Sequence, residues 1–486
     1  MSMRASSVFV LVLAMASTSL GADVTVSKPG GGGAYTTVQA ALATAKNGDT
    51  IIIADSEVYV EDVTAGVAAG LVASFTLRAA EGQKPVIRAA NTAERVGVLG
   101  IPGTDYMGTF FFGCQGVLVE GITFENLDTA LDAGGISAAL ALFDSSDITI
   151  RNCTIRGAGG EGTNYPGDNL SVVAGGVQTA PKGVLIENCL VEEGNYGVAI
   201  SKLQGGTPTD PSVIVRGCTI RNCEETGIEV DAGAPPNNTD PNVATGQGNL
   251  LENNTIINCD TGISLGGGYN VIRNCTVLSC RAEGLDVDLD GDRGTQPITG
   301  IVENSVFVGG QGDGIRVDEG IVTLTNCIVA GSGSEGIHLR DSNNETKVTV
   351  DHCDIYRNLT AGDLFEVRVD VGATALIQLR MKNTNVVGEA GIYNGSIDDP
   401  EFFDLEGLFA SYCNVFAAND RYTNVVVEND RQFDPMYMNP SVDPQTFTRD
   451  GFQLSSTSAV ITAGENGTFI GSQGPAAVRV EDWATR

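Results

Sequence analysis

The chain has 486 residues, 42% of them hydrophobic, enough to bury a large core. Its net charge of −32, from 60 acidic and 28 basic residues, makes nucleic acid a poor partner. The same charge repels acidic polysaccharides unless a bound cation or a local basic patch intervenes.

The first residues carry the pattern of a secretory signal. Arg4 gives the positive start, Val8–Ala16 the apolar stretch and Ser19-Leu20-Gly21-Ala22 a small-residue cleavage site. The mature chain is expected to begin near Asp23. No segment is long enough to span a bilayer. Residues 34–47 predict a short amphipathic helix with Val38, Ala41, Leu42 and Ala45 on one face. A strand, Thr50–Ala54, follows. A helix placed here would cover the first open end of a strand stack, where backbone groups are otherwise unpaired.

Further on the chain repeats itself. Ile148-Thr149-Ile150-Arg151-Asn152-Cys153-Thr154-Ile155 returns at Val184–Val191, Val213–Ile220 and Asn270–Val277, with looser copies near 250, 301, 322 and 348. The Asn-equivalent anchors at 152, 188, 217, 253, 274, 304, 326 and 352 are spaced by 36, 29, 36, 21, 30, 22 and 26 residues. The shortest spacings suit one turn of a coil built from three short strands, at ~3.3 Å per residue. Longer spacings are a coil plus a loop. The expected architecture is therefore one long all-β solenoid.

Each coil carries a second line. It reads Gly197-Val-Ala-Ile, Gly227-Ile-Glu-Val, Gly262-Ile-Ser-Leu, Gly284-Leu-Asp-Val, Gly314-Ile-Arg-Val and Gly336-Ile-His-Leu. Insertions at 203–211, 232–248, 290–297 and 341–346 mostly follow it, and loops gathered on one edge of a solenoid usually line its binding face.

The 11 cysteines fall largely on two equivalent positions of the coil. Cys153, Cys189, Cys218, Cys275, Cys327 and Cys353 share one, and Cys223, Cys259 and Cys280 the other. They are expected to stack inside as small apolar residues rather than to form disulfides. The recurrent Asn is expected at a bend, because Asn tolerates left-handed backbone angles.

Taken together, these repeats resemble a secreted right-handed parallel β-helix of the pectate-lyase-like superfamily. Tyr35-Thr36-Thr37-Val38-Gln39-Ala40-Ala41 with Asn47-Gly48-Asp49-Thr50-Ile51 is similar to the N-terminal cap of pectin methylesterases and many lyases. Phe452–Gly471 resembles the closing segment of bacterial β-helix proteins. The resemblance covers nearly all of the mature chain. It implies a signal peptide at 1–22, a three-sided β-helix with its capping helix over 23–397, and an irregular C-terminal cap over 398–486. Because this fold carries many unrelated activities, function must be argued from a site.

Alternation assigns the faces. In Gly-Ile-x-Val the Ile and Val point inward, so x and the residue two further on point out. The outer ladders become Ala199, Glu229, Ser264, Asp286, Arg316, His338 and Ser201, Asp231, Gly266, Asp288, Asp318, Arg340. On the Asn line the outward residues Arg151, Glu187, Arg216, Glu252, Arg273 and Glu303 alternate in sign, which is scaffold electrostatics. The Gly-Ile-x-Val face breaks that rule, since Asp288 and Asp318 are like-charged neighbours.

Candidate chemistry gathers there. Asp286, Asp288, Asp290 and Asp292, with Asp318, are candidate Ca²⁺ ligands, calcium taking roughly six to eight oxygens. The match to a helix-loop-helix calcium loop stops at Pro297, where Glu is required. Arg316, His338 and Arg340 are candidate catalytic groups, with His338 the easiest base near neutral pH. Glu229, Asp231 and Asp313 are candidate substrate contacts. Paired-carboxylate hydrolysis is disfavoured. Gly312-Asp313-Gly314-Ile315 is similar to part of one polygalacturonase motif, but the accompanying Asp pair, Gly-His-Gly and Arg-Ile-Lys are missing.

Two functions follow. One is a secreted, monomeric β-helix that binds an extracellular acidic polysaccharide and cleaves it by Ca²⁺-assisted β-elimination. The other is a non-catalytic structural or adhesive β-helix with an acidic calcium-binding face.

Overall fold

The computed structural model describes residues 21–473, apart from 67–69, 92–93, 97–103, 128–136, 159–166, 174–181, 202–211, 232–247, 289–297, 341–345, 359–364, 371–376, 395–407, 420 and 424. Three parallel sheets run its length, of 15, 13 and 14 strands among the described residues. The first sheet runs from Asp23–Val26 to Val426–Glu428, the second from Val58–Val60 to Asn414–Ala417, and the third from Val63–Ala65 to Tyr422–Thr423. The only strand off this path among the described residues is Glu94–Val96, antiparallel to Thr104–Phe112. Each coil gives one strand to each sheet in turn, so the expected three-sided solenoid is what forms.

The repeat explains the coil. Ile, Val and Leu at alternate positions of all three sheets form one continuous interior. The Asn bend is left-handed throughout: Asn152, Asn188, Asn253, Asn274, Asn304 and Asn326 have φ between 51° and 57°, and Gly217 and His352 take the same turn. All 11 cysteines are buried thiols with no disulfide. The backbone N–H of Cys189 and Cys327 donates to the sulfur one coil on, and Asn254 and Ser305 stand in where the sulfur is missing.

The N-terminal helix is shorter than the sequence pattern, spanning Val38–Leu42. Thr37 caps it, and both oxygens of Glu61 accept from the N–H groups of Val38 and Gln39 at 2.9 Å. Val38, Ala41 and Leu42 are buried in the interior of the first coils.

The alternating ladder on the first sheet is in register from Arg151 to Glu303. Arg151 pairs with Glu120, Arg216 with Glu252 and Arg273 with Glu303, at 2.9, 3.0 and 3.0 Å. A second ladder, unread in the sequence, crosses the second sheet as Arg88, Glu125, Arg156, Glu192 and Arg221. Burial alone would raise the Glu125 carboxyl, but Arg156 and Arg88 outweigh it and hold the group below its ordinary range.

The segment expected to cap the C-terminal end does two things. Residues 408–428 add strands to all three sheets. Residues 430–473 lie back along the flank of the second sheet. There Leu278, Val308, Ala330, Tyr356 and Val387 replace the charged ladder, and Tyr437, Val442, Phe447 and Phe452 cover them. Arg449 donates to the carbonyls of Asn304 and Asn326. The buried Asp354 carboxylate accepts from Ser472 N–H and hydroxyl, the Tyr437 hydroxyl and Asn385.

Candidate functional site

The third sheet carries the Gly-Ile-x-Val lines. Ile and Val of each pair are fully buried, so x faces outward. The leading Gly is required by space: a Cβ at Gly314 would lie 2.3 Å from Val329 and 2.7 Å from the Gly336 carbonyl. The register sets Glu229, Ser264, Asp286, Arg316, His338, Arg368 and Tyr393 in one line. Successive members stand ~4.8 Å apart.

Arg316 is held by three carboxylates. Its Nε and Nη2 donate to the two oxygens of Asp286, both at 3.0 Å, and Nη1 to Glu283. Asp318 lies 3.7 Å from its Nε. Burial, with Glu283 and Asp318 adding to it, pushes the Asp286 carboxyl up to about 6 despite Arg316. Asp318 is also raised, by burial and by Asp288, against Arg340 and Arg316. Arg340 is 3.7 Å from Asp318 and 48% exposed, so it is the cation of the group with most access to solvent.

His338 sits between two more acids. Its Nδ1 is 2.9 Å from Asp313 and its Nε2 3.0 Å from Asp370. Burial alone would lower the imidazole, but the two carboxylates outweigh it and raise it to about 9. Arg368 braces the set, donating to Asp370 at 3.0 Å and to Glu335 at 3.2 Å. The ligating atoms of Asp313, Glu335 and His338 fall within 4.8 Å of one another. An imidazolium and the Arg368 guanidinium already neutralise these acids, which leaves them poor ligands for a further cation.

The sequence candidates separate accordingly. Asp286, Arg316, Asp318, His338 and Arg340 are brought together, and Asp288 adjoins Asp318. Glu229 stands three rungs, ~14 Å, from Arg316, and Asp231 occupies the same strand as Glu229. Asp313 is 7% exposed and turned toward His338, which makes it a positioning group rather than a substrate contact. His338, raised to about 9 with both ring nitrogens facing carboxylates, is charged at neutral pH and so is not poised as the expected base. Arg316, shared among three carboxylates, is not a base either. The calcium set fits poorly: both oxygens of Asp286 face Arg316, and Asp318 lies between two guanidiniums. Asp290 and Asp292 lie outside the described residues.

Glu283, Glu335, Arg368, Asp370 and Tyr393 were not singled out from the sequence. A signal existed for two of them. Glu283, Asp313 and Glu335 each precede the Gly of a Gly-Ile-x-Val line and form a third ladder. Val367-Arg368-Val369-Asp370 continues the outer pattern, but Glu366 replaces its Gly and hides the match.

Comparison with known proteins agrees with the fold. The right handed beta helix region family matches residues 90–246 and 176–293. The A-module of mannuronan C-5 epimerase AlgE6 from Azotobacter vinelandii is similar over 82% of this chain and 96% of its own, at 16% identity and a TM-score of 0.50. Pectate lyase Pel9A aligns over 94% and 97% at 12% identity and a TM-score of 0.37. The PL6 family alginate lyase AlyGC aligns over 90% and 57% at 14% identity and a TM-score of 0.45. Among curated proteins, none matches the sequence.

Proposed function

Because this chain folds as a three-sided right-handed parallel β-helix, we propose that it binds an acidic polysaccharide along the outer face of the third sheet and cleaves it there by β-elimination. One observation carries the proposal. The outer ladder brings Arg316, His338 and Arg368 into one line, with Arg340 beside them, in a protein of net charge −32. Arg316, His338 and Arg368 are each tied to carboxylates, so Arg340, 48% exposed and 3.7 Å from Asp318, is the cation of this row that a polyanion can reach.

Roles follow from access and protonation. Arg340 pairs with the uronate carboxylate and so stabilises the charge that develops when the adjacent proton leaves. Asp318, whose proton affinity burial raises, takes that proton. The electron pair forms the new C=C bond as the glycosidic C–O bond breaks. Water supplies the proton to the leaving oxygen, because both His338 nitrogens face carboxylates and the imidazolium serves to hold Asp313 and Asp370 in place. Calcium has no step here. It stays a proposal only on the sequence pattern Asp288-Leu-Asp290-Gly-Asp292. Export of the chain is proposed on the Arg4 and Val8–Ala16 pattern.

A second reading has its own support. Arg316 and His338 are each tied to carboxylates, as in a purely structural ion-pair network. The protein would then be a non-catalytic surface β-helix. Incubation with a panel of uronate polymers, followed by absorbance of unsaturated products, separates the two. Product that disappears in Arg340→Ala and persists with a chelator supports elimination without calcium. No product and no binding on any polymer leaves the structural reading.

A further inference from the structure

We propose that the stacked rings of Phe365 and Tyr393 form a saccharide-stacking subsite on the C-terminal side of the reacting row. One pyranose of the bound chain packs on this aromatic slab while a neighbouring acidic sugar meets Arg368 and Arg340. This deepens the polysaccharide-binding reading above and rests on it.

Tyr393 is in register with Arg368, which is in register with His338. The backbone position of Tyr393 therefore stands two rungs, ~9.6 Å along the stack, from that of His338 on the same sheet. Phe365 leads into the strand that carries Arg368. Its ring lies 4.4 Å from that of Tyr393, with the planes 12° apart. The pair is thus built from two successive coils and lies beside the cationic row.

The geometry sets this pair apart. The Phe75–Phe111 pair meets edge-on inside the coil. Phe110, Phe112 and Phe143 meet tilted or edge-on in an apolar cluster. Tyr356, Tyr437 and Phe452 pack beneath the C-terminal segment. Each of those serves burial. Among the described residues, Phe365 and Tyr393 belong to no hydrophobic cluster, are half-buried and lie parallel.

A flat parallel slab has a use that edge-on pairs lack. A pyranose presents an apolar C–H face and a polar rim of hydroxyls. The C–H face gains dispersion and burial against an aromatic face, and the rim needs hydrogen-bond donors at the side. Arg368 supplies these, its planar fork already aimed by Asp370 and Glu335. Aromatic area next to convergent polar groups is the usual composition of a small-molecule site.

The test compares Tyr393→Ala, Tyr393→Phe and Phe365→Ala with the unmodified protein, on a uronate polymer and on its short oligosaccharides. Circular dichroism melting verifies the fold. Tyr393→Ala is expected to raise KM for the polymer about fivefold, the effect of one aromatic contact, with kcat within about twofold of the unmodified protein. Tyr393→Phe keeps the flat face and the affinity. On an oligosaccharide too short to reach the slab, Tyr393→Ala and the unmodified protein share one KM. If Tyr393→Ala does not fold, Tyr393→Leu keeps the apolar bulk without the flat face and must show the same loss. Equal polymer KM in Tyr393→Ala and the unmodified protein overturns the subsite and leaves the broader function standing. Failure of the unmodified protein to bind any uronate polymer overturns both.

Discussion

His338 offers the most direct test of the site's electrostatics. Its folded pKa of about 9 stands above the ordinary 6.5 because Asp313 and Asp370 outweigh burial. Burial would raise both partners, but the imidazolium, helped at Asp370 by Arg368, holds them below the usual carboxylate range. At ~1.4 kcal/mol per pKa unit, the clamp contributes roughly 3 kcal/mol. That is an upper figure, since Asp370 is 37% exposed and water screens its side of the pair. A raised folded pKa means the contribution is complete below pH 6.5 and lost as pH rises through 9. Urea unfolding of the native protein and of His338→Gln at pH 6 and pH 10 reads this difference. The stability gap is expected to be at most about 3 kcal/mol at the lower pH and to shrink toward zero at the higher. Because the chain has only two histidines, an NMR titration resolves the His338 ring directly. A midpoint near the ordinary histidine value, or a stability gap that does not change with pH, would refute the reasoning.

Two further outcomes follow from buried acids. Asp354→Ala leaves the Tyr437 hydroxyl and the Ser472 N–H and hydroxyl without their acceptor, at ~1–3 kcal/mol for each orphaned buried group. The C-terminal segment should then loosen, and limited trypsin digestion should cut at Arg449 at doses that spare the native protein. Equal cleavage rates count against the clasp. Glu366 is fully buried, with one oxygen accepting from Asn358 and the other without a partner among the described residues, and burial raises its carboxyl to about 8. A carboxyl raised above its ordinary 4.5 weakens the fold as pH climbs from that value toward 8. Glu366→Gln should match the native protein at pH 4.5 and exceed it by up to roughly 5 kcal/mol at pH 9. Identical denaturation curves at pH 9 would contradict it.

Much of the fold was legible in the sequence because a solenoid repeats its local rules. The Asn bend, the inward cysteines and the Arg/Glu ladder recur often enough to be set in register without coordinates. The outward line through Asp286, Arg316 and His338 was legible for the same reason. What failed was everything that depends on partners rather than on periodicity. Nothing in Asp286-Val-Asp288 says that Arg316 will occupy both oxygens of the first aspartate, so the run looked like a cation cradle. His338 looked like a base because its two carboxylates lie 25 and 32 residues away. The flank cover at 430–473 has no repeat at all. The apolar stripe it hides was visible only as Leu278, Val308, Ala330 and Tyr356 standing where charges had alternated earlier.

That flank cover also alters how the molecule comes apart and how it is made. A bare solenoid unravels one coil at a time from its ends, because each coil touches only its neighbours. Here Arg449 reaches back 145 residues to Asn304, and Ser472 reaches back 118 to Asp354. A pull on the C-terminus must first peel this return segment from the coils it bridges, so those coils should yield together rather than in sequence. During synthesis the order is reversed. The stripe from Leu278 to Val387 emerges early and stays open to water until the last part of the chain arrives to close it.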